Sequence, residues 1–194
     1  TDLVSELEDE ASIRCVQNLL SYLKLTQKRS FSHLQKAQAY QSEFYLSMNY
    51  ETKRNLELTT TIRANQKHGS LFWFLDETQT AMGGRLLKQW LEKPLVLEGA
   101  IQKRHALVET LNQHYFERTD FIETLKRVYD LERIVGKVSF GTANARDLLQ
   151  LKQTLGQVPI FNSIVDSLDS EEWSALGENL FDIPELYDLI DRAI

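Results

Sequence analysis

Residues that interrupt regular structure are scarce in this chain. Eight glycines and three prolines are spread over 194 residues. A sandwich or barrel needs a turn every 8 to 12 residues or so, and eleven breakers cannot supply them. The expected fold class is therefore mainly α: a multi-helix core domain with long helices and at most a short β element. A chain of this length buries a sizeable core.

Apolar spacing places the helices. Ile13, Val16, Leu20 and Leu23 fall on one face of a helix over 8–25, with acids in front and Lys24 behind, as the helix dipole prefers. Cys15, among these apolar residues, reads as a buried thiol. As the lone cysteine it has no internal disulfide partner, and a cytoplasmic setting follows as the expectation. Residues 43–48 alternate aromatic and polar, which predicts a short strand. Asn49, Ser70, Thr80, Asp130, Asn144 and Ser170 stand where N-caps are needed. Asp120 with Glu123 resembles a capping box. Leu148, Leu151, Leu155 and Val158 make a seam on one helix, and Asp182 with Pro184 opens the last helix. That helix carries Leu186, Leu189, Ile190, Ala193 and Ile194 to the final residue without a glycine cap or polar tail. The expectation is a piece of a longer protein.

Gly83 and Gly84 stand at the start of the helix that Pro94 stops. Each costs about 1 kcal/mol against Ala inside a helix. A close backbone approach explains them, with a phosphate-binding turn completed by Arg85 as the alternative. Arg85 opposes the dipole at a helix start and so needs an acid; Asp76 and Glu77 are the nearest in sequence.

Signatures of catalysis are missing from the sequence. Gly136–Ser139, GKVS, lacks the glycine and hydroxyl positions of a phosphate-binding loop, where Leu131 and Val138 stand instead. His33, His68, His105 and His114 are scattered and no cysteine cluster accompanies them. Asp130 and Glu132 read as a helix cap and a carboxylate paired with Arg133 or Arg127. Phe72, Trp73 and Phe74 beside Lys67 could stack on a single strand, but three aromatics around one short helix read as core. Net charge is −6, distributed as −4 over 1–19, +6 over 20–160 and −8 over 161–194. A chain that binds nucleic acid over its whole surface would be basic throughout. No apolar run reaches the ~18 residues of a membrane span.

Four blocks resemble the core region of the MutS family, the DNA mismatch-recognition ATPases, in its bacterial branch. They are SYLKLTQK at 21–28, ETKRNLEL at 51–58, SLFWFLDETQTAMGGRLLKQWLEKPL at 70–95 and YDLERIVGKVSFGTANARDLLQL at 129–151. Asn49 replaces the family's usual Asp, and Lys137 its usual Arg; both keep the capping role or the charge. The resemblance implies that 1–194 is the first part of the core domain, ending at the lever helix before the DNA clamp. None of the four blocks contains the family's mismatch-reading Phe-x-Glu motif or its phosphate-binding loop. It further implies a connector that transmits nucleotide-driven motion and performs no reaction itself. ATP and Mg would serve the full-length protein. Mismatched double-stranded DNA would be met through other domains, with a homodimer and MutL as further partners and no membrane. Gly83, Gly84, Arg85, Asn55, Asp130, Arg133, Asn144 and Asp147 would have structural or packing roles, and no catalytic, cofactor or metal residue is expected. The competing reading is a stand-alone helical scaffold that meets a basic protein partner through its acidic end.

Overall fold

A computed structural model describes residues 7, 9–26, 36–37 and 44–194. The expectations for His33, for Gln27 and Lys28 of the first block and for Glu43 lie outside the described residues. The chain divides into two compact units, residues 1–42 and 43–194. Eleven α-helices and no strand occur among the described residues.

In the first unit, α1 spans Glu10–Thr26. The Asp9 carboxylate accepts from the Ala11 and Ser12 amides at 3.0 and 2.8 Å, which caps the helix. Ile13, Val16, Leu20 and Leu23 are half-buried, whereas Leu19, Tyr22 and Leu25 are exposed. Cys15 is exposed, contrary to the buried thiol expected. It follows Ile13 by two residues, a rotation of about 200°, and so leaves the apolar stripe.

The second unit holds α2 Tyr50–Asn55, α3 Leu71–Leu75, α4 Ala81–Glu92, α5 Glu98–Gln113, α6 Tyr115–Leu125, α7 Leu131–Ser139, α8 Ala145–Leu155, α9 Val158–Ser167, α10 Glu171–Gly177 and α11 Pro184–Ala193. The short strand expected at 43–48 reduces to a single antiparallel bridge between Tyr45 and Leu95. Leu46 donates to the Pro94 carbonyl at 2.8 Å and Val96 to the Phe44 carbonyl at 3.1 Å. Asn49, Ser70, Thr80, Asp130, Asn144 and Ser170 all cap with their side chains, at α2, α3, α4, α7, α8 and α10.

Three expectations about helix ends need correcting. Asp120 lies inside α6, because that helix already starts at Tyr115, so Asp120 and Glu123 form no capping box. Val158 opens α9, because the chain turns at Gly156 and Gln157, and the predicted seam ends at Leu155. The cap position of α11 belongs to Ile183 and has no side-chain bond; Pro184 takes the first turn as predicted, while Asp182 does not cap.

Two apolar cores organise this unit. Ile134, Leu151, Leu155 and Ile190 form one, joined by Leu131, Leu148 and Leu186, and so fasten α7, α8 and α11 together. Val165, Leu168 and Trp173 form the other, covered by Leu107, Leu111 and Phe121 from α5 and α6. The Trp173 indole donates to the Leu107 carbonyl at 3.0 Å, so burial leaves no polar atom of that ring unpaired. The aromatic run of α3 is not core. Trp73 and Phe74 are 45% and 73% exposed, since a five-residue helix shows side chains all round and only one side is covered. Phe72 lies under the Lys67 ammonium, 4.3 Å from its ring centroid, and Trp73 packs on His68.

Candidate functional site

The α4 start decides how Arg85 is used. Thr80 caps α4 by accepting from the Gly83 amide at 3.0 Å. Both glycines are helical and face the Thr78–Thr80 turn. A Cβ on Gly83 would lie 3.0 Å from the Thr80 hydroxyl, and one on Gly84 3.4 Å from the Thr78 hydroxyl. The close neighbour is thus the preceding turn rather than another helix. Asp76 is occupied there: it accepts from Lys67 Nζ at 2.5 Å and from the Thr78 hydroxyl at 2.7 Å.

Arg85 therefore reaches past Asp76 and Glu77 to α7. Its two terminal nitrogens donate to the Asp130 carboxylate at 2.8 and 2.7 Å. Glu132 Oε2 accepts from the same guanidinium at 2.6 and 3.1 Å. This fork-to-carboxylate pairing is the strong form of a charged hydrogen bond. Asp130 also accepts from the Arg133 amide at 3.3 Å and so caps α7. The Arg85 bonds first, and the Arg133 amide after them, hold the Asp130 carboxyl below its ordinary value; partial burial opposes this. The cap expected of Asp130 is present, and Glu132, expected to pair with Arg133 or Arg127, pairs with Arg85 instead.

Two further pairs continue from α7. Lys137 Nζ donates to Asp147 at 2.6 Å. Asp147 is buried at the start of α8 and completes a capping box with Asn144: its carboxylate accepts from the Asn144 amide at 3.1 Å, and Asn144 accepts from the Asp147 amide at 3.0 Å. Lys137 and then the Asn144 amide depress the Asp147 carboxyl. From α8, Lys152 Nζ donates to Asp191 of α11 at 2.8 Å, which raises the Lys152 ammonium above its usual value. Thr154 on α8 accepts from the Tyr129 amide at 2.9 Å, just ahead of Asp130. The Gly156 backbone lies against Tyr187, where a Cβ would meet the ring at 3.2 Å.

These contacts form a relay of paired side chains from α4 through α7 and α8 to α11, and the last three helices share the first apolar core. Of the residues expected to be structural, Arg85, Asp130, Asn144 and Asp147 are in it. Gly83 and Gly84 support its first member, and Arg133 contributes its amide. Asn55 ends α2 at an exposed position, apart from the relay. Lys152, Thr154 and Asp191 were not expected. Their partners lie 25 to 39 positions away, and no local pattern signals such pairs.

Among the described residues no group of three or more His, Cys, Asp or Glu is placed to hold a metal ion. No helix among them is long and apolar enough to cross a membrane.

The family model for MutS domain III matches residues 51–194. The chain belongs to the MutS domain III family. All four helices of the relay lie within the matched span. Among its relatives, the DNA mismatch repair protein MutS of Bacillus licheniformis is 50% identical over 192 residues, covering 99% of this chain and 22% of that protein. Its Bacillus subtilis counterpart is 47% identical over 192 residues, with the same coverage. The Streptococcus sanguinis protein of the same name is 49% identical over 176 residues, 91% of this chain and 21% of its own. The chain thus spans about a fifth of the length of the curated relatives it matches.

Proposed function

We propose that this MutS-type domain is the connecting part of a DNA mismatch-repair ATPase. Within the full-length protein it carries nucleotide-driven displacement between the ATPase and the DNA clamp, and it shares in binding mismatched DNA only there. It performs no reaction of its own; ATP and Mg would act in other domains. One observation carries the mechanical part of this reading: side-chain pairs link α4 to α7, α7 to α8 and α8 to α11, and the last three of these helices share one apolar core. Chains of packed and hydrogen-bonded side chains of this kind can carry coupling between distant sites. The relay helices are short; α8, with 11 residues, spans about 16 Å at 1.5 Å per residue. Stiffness therefore rests on the cross-ties as much as on helix length.

The test has two arms. The chain alone, mixed with ATP and with mismatched duplex DNA, should show no hydrolysis and at most weak binding. Turnover by the purified chain would defeat the connector reading. In the full-length protein, Arg85→Ala should leave nucleotide binding intact while shrinking the nucleotide-induced change in DNA affinity. An unchanged response would show that the relay carries no coupling.

A further inference from the structure

On the side of the unit built around the second core, α6, α9 and α10 enclose an apolar groove of about 370 Å³. Phe121, Phe161 and Trp173 meet edge to face in it, with ring centroids 5.0 and 5.4 Å apart. Leu176 and Leu180 also line it and are 46% and 38% exposed, and Phe181, next in the chain, is 73% exposed. The Trp173 indole is already bonded to Leu107 and the Asn179 amide to the Ala175 carbonyl. The groove therefore asks for apolar contact and offers no polar handle.

Carboxylates outnumber cations around the groove, with Lys103 of α5 near Glu172 as a cation on that side. Residues 158–183 hold six carboxylates and no Lys, Arg or His. In α6, Glu117, Asp120 and Glu123 stand against the single Arg118, whose guanidinium bonds Asn112. Lys126, just beyond α6, is paired with Glu123 at 2.5 Å. An apolar cleft ringed by unbalanced carboxylates complements an apolar face flanked by cations. A second copy of this chain fits poorly, because it carries net charge −6 and the same acidic segment.

We propose that the groove between α6, α9 and α10 seats a basic amphipathic helix of a protein partner. Its apolar side chains would lie on the Phe121, Phe161 and Trp173 rings, and its Lys and Arg residues would face the carboxylates of 166–182. Apolar burial supplies the affinity and the acidic rim supplies orientation and encounter rate. Neither depends on the mismatch-repair assignment.

The probe is a fluorescein-labelled peptide with Leu at helical i, i+3, i+4 and i+7 positions and Lys elsewhere, titrated with the full chain and read by anisotropy. Saturable binding that weakens with salt is expected. Leu176→Glu and Leu180→Glu, both at exposed positions, should each weaken it by about tenfold, the loss typical of a central apolar anchor. Glu178→Lys combined with Asp182→Lys leaves the ring floor intact and should also weaken binding while flattening its salt dependence. Circular dichroism establishes that each variant is folded. Absence of binding to the unaltered chain would overturn the proposal. So would equal binding by a peptide with Ser in place of Leu, since charge alone would then suffice. Sedimentation showing a dimer that Leu176→Glu dissolves would assign the groove to a second copy instead.

Discussion

Arg85 grips Asp130 with both terminal nitrogens, at 2.8 and 2.7 Å, across 45 positions of sequence. Asp130 is also the cap of α7, so one carboxylate ties α4 to α7 and starts the second helix. Lysine keeps the charge of arginine but not the planar fork. Arg85→Lys should therefore lower Tm, though modestly, because the guanidinium is half exposed and its pairs are screened by solvent. Thermal melts by circular dichroism measure it. A lysine variant as stable as the parent would reduce the interaction to charge alone.

Acid should weaken the relay in a defined window. Arg85 depresses the Asp130 carboxyl, and Lys137 depresses that of Asp147. A depressed folded-state value contributes stability that is complete above the unfolded value, about 3.9 for Asp, and lost as pH falls through the folded value. Tm should hold steady from neutral pH down to about pH 5 and then decline as these carboxylates protonate. Asp147→Asn should lower the plateau and soften the acid limb. An acid limb identical to the parent's would mean that Asp147 gains nothing from Lys137.

Local signals are legible in the sequence at most helix starts, though not at Asp120 or Asp182. Asn49, Ser70, Thr80, Asp130, Asn144 and Ser170 cap as expected, because a cap needs only a side-chain oxygen and an amide two or three residues on. The apolar stripe of α1 is likewise the less exposed side of that helix. Long-range choices were not legible. Arg85 had Asp76 and Glu77 within a short reach, yet Lys67 and Thr78 had already taken Asp76. Lys152 and Asp191 are 39 residues apart, and only the packing of α8 on α11 brings them together. The α3 aromatics misled because hydrophobicity was read as burial; their exposure depends on what else covers a one-turn helix.

The two glycines of α4 should respond oppositely to alanine. At Gly84 the new Cβ makes an ordinary 3.4 Å contact, and the helix gains up to about 1 kcal/mol in propensity. At Gly83 it lies 3.0 Å from the Thr80 oxygen, which is held in place by the cap bond it accepts. Making room there sacrifices the cap, a loss of about 1 kcal/mol or more that offsets the propensity gain. Gly84→Ala should raise Tm and Gly83→Ala should leave it level or lower it. The same calorimetric scan run on both variants checks the contrast, and equal stabilisation by the two would show that Thr80 yields freely.

The first core should behave as one cooperative patch. Leu151 and Leu155 of α8 and Ile190 of α11 are each more than nine-tenths buried and share neighbours. Truncating a buried Leu or Ile removes its transfer energy and leaves a cavity, at about 2–5 kcal/mol. Leu151→Ala and Ile190→Ala should each fall in that range by chemical denaturation. Residues sharing a cavity are rarely additive: once Ile190 is gone, the space left lets α8 and α11 settle, so removing Leu151 as well should cost less than the two single losses combined. Asp191 stands next to Ile190, so movement of α11 also draws it away from Lys152. The Ile190→Ala variant should accordingly lose its response to neutralising that pair, with Lys152→Met changing its midpoint less than it changes the parent's. Equal effects of Lys152→Met in both backgrounds would show that the ion pair forms independently of the core beneath it.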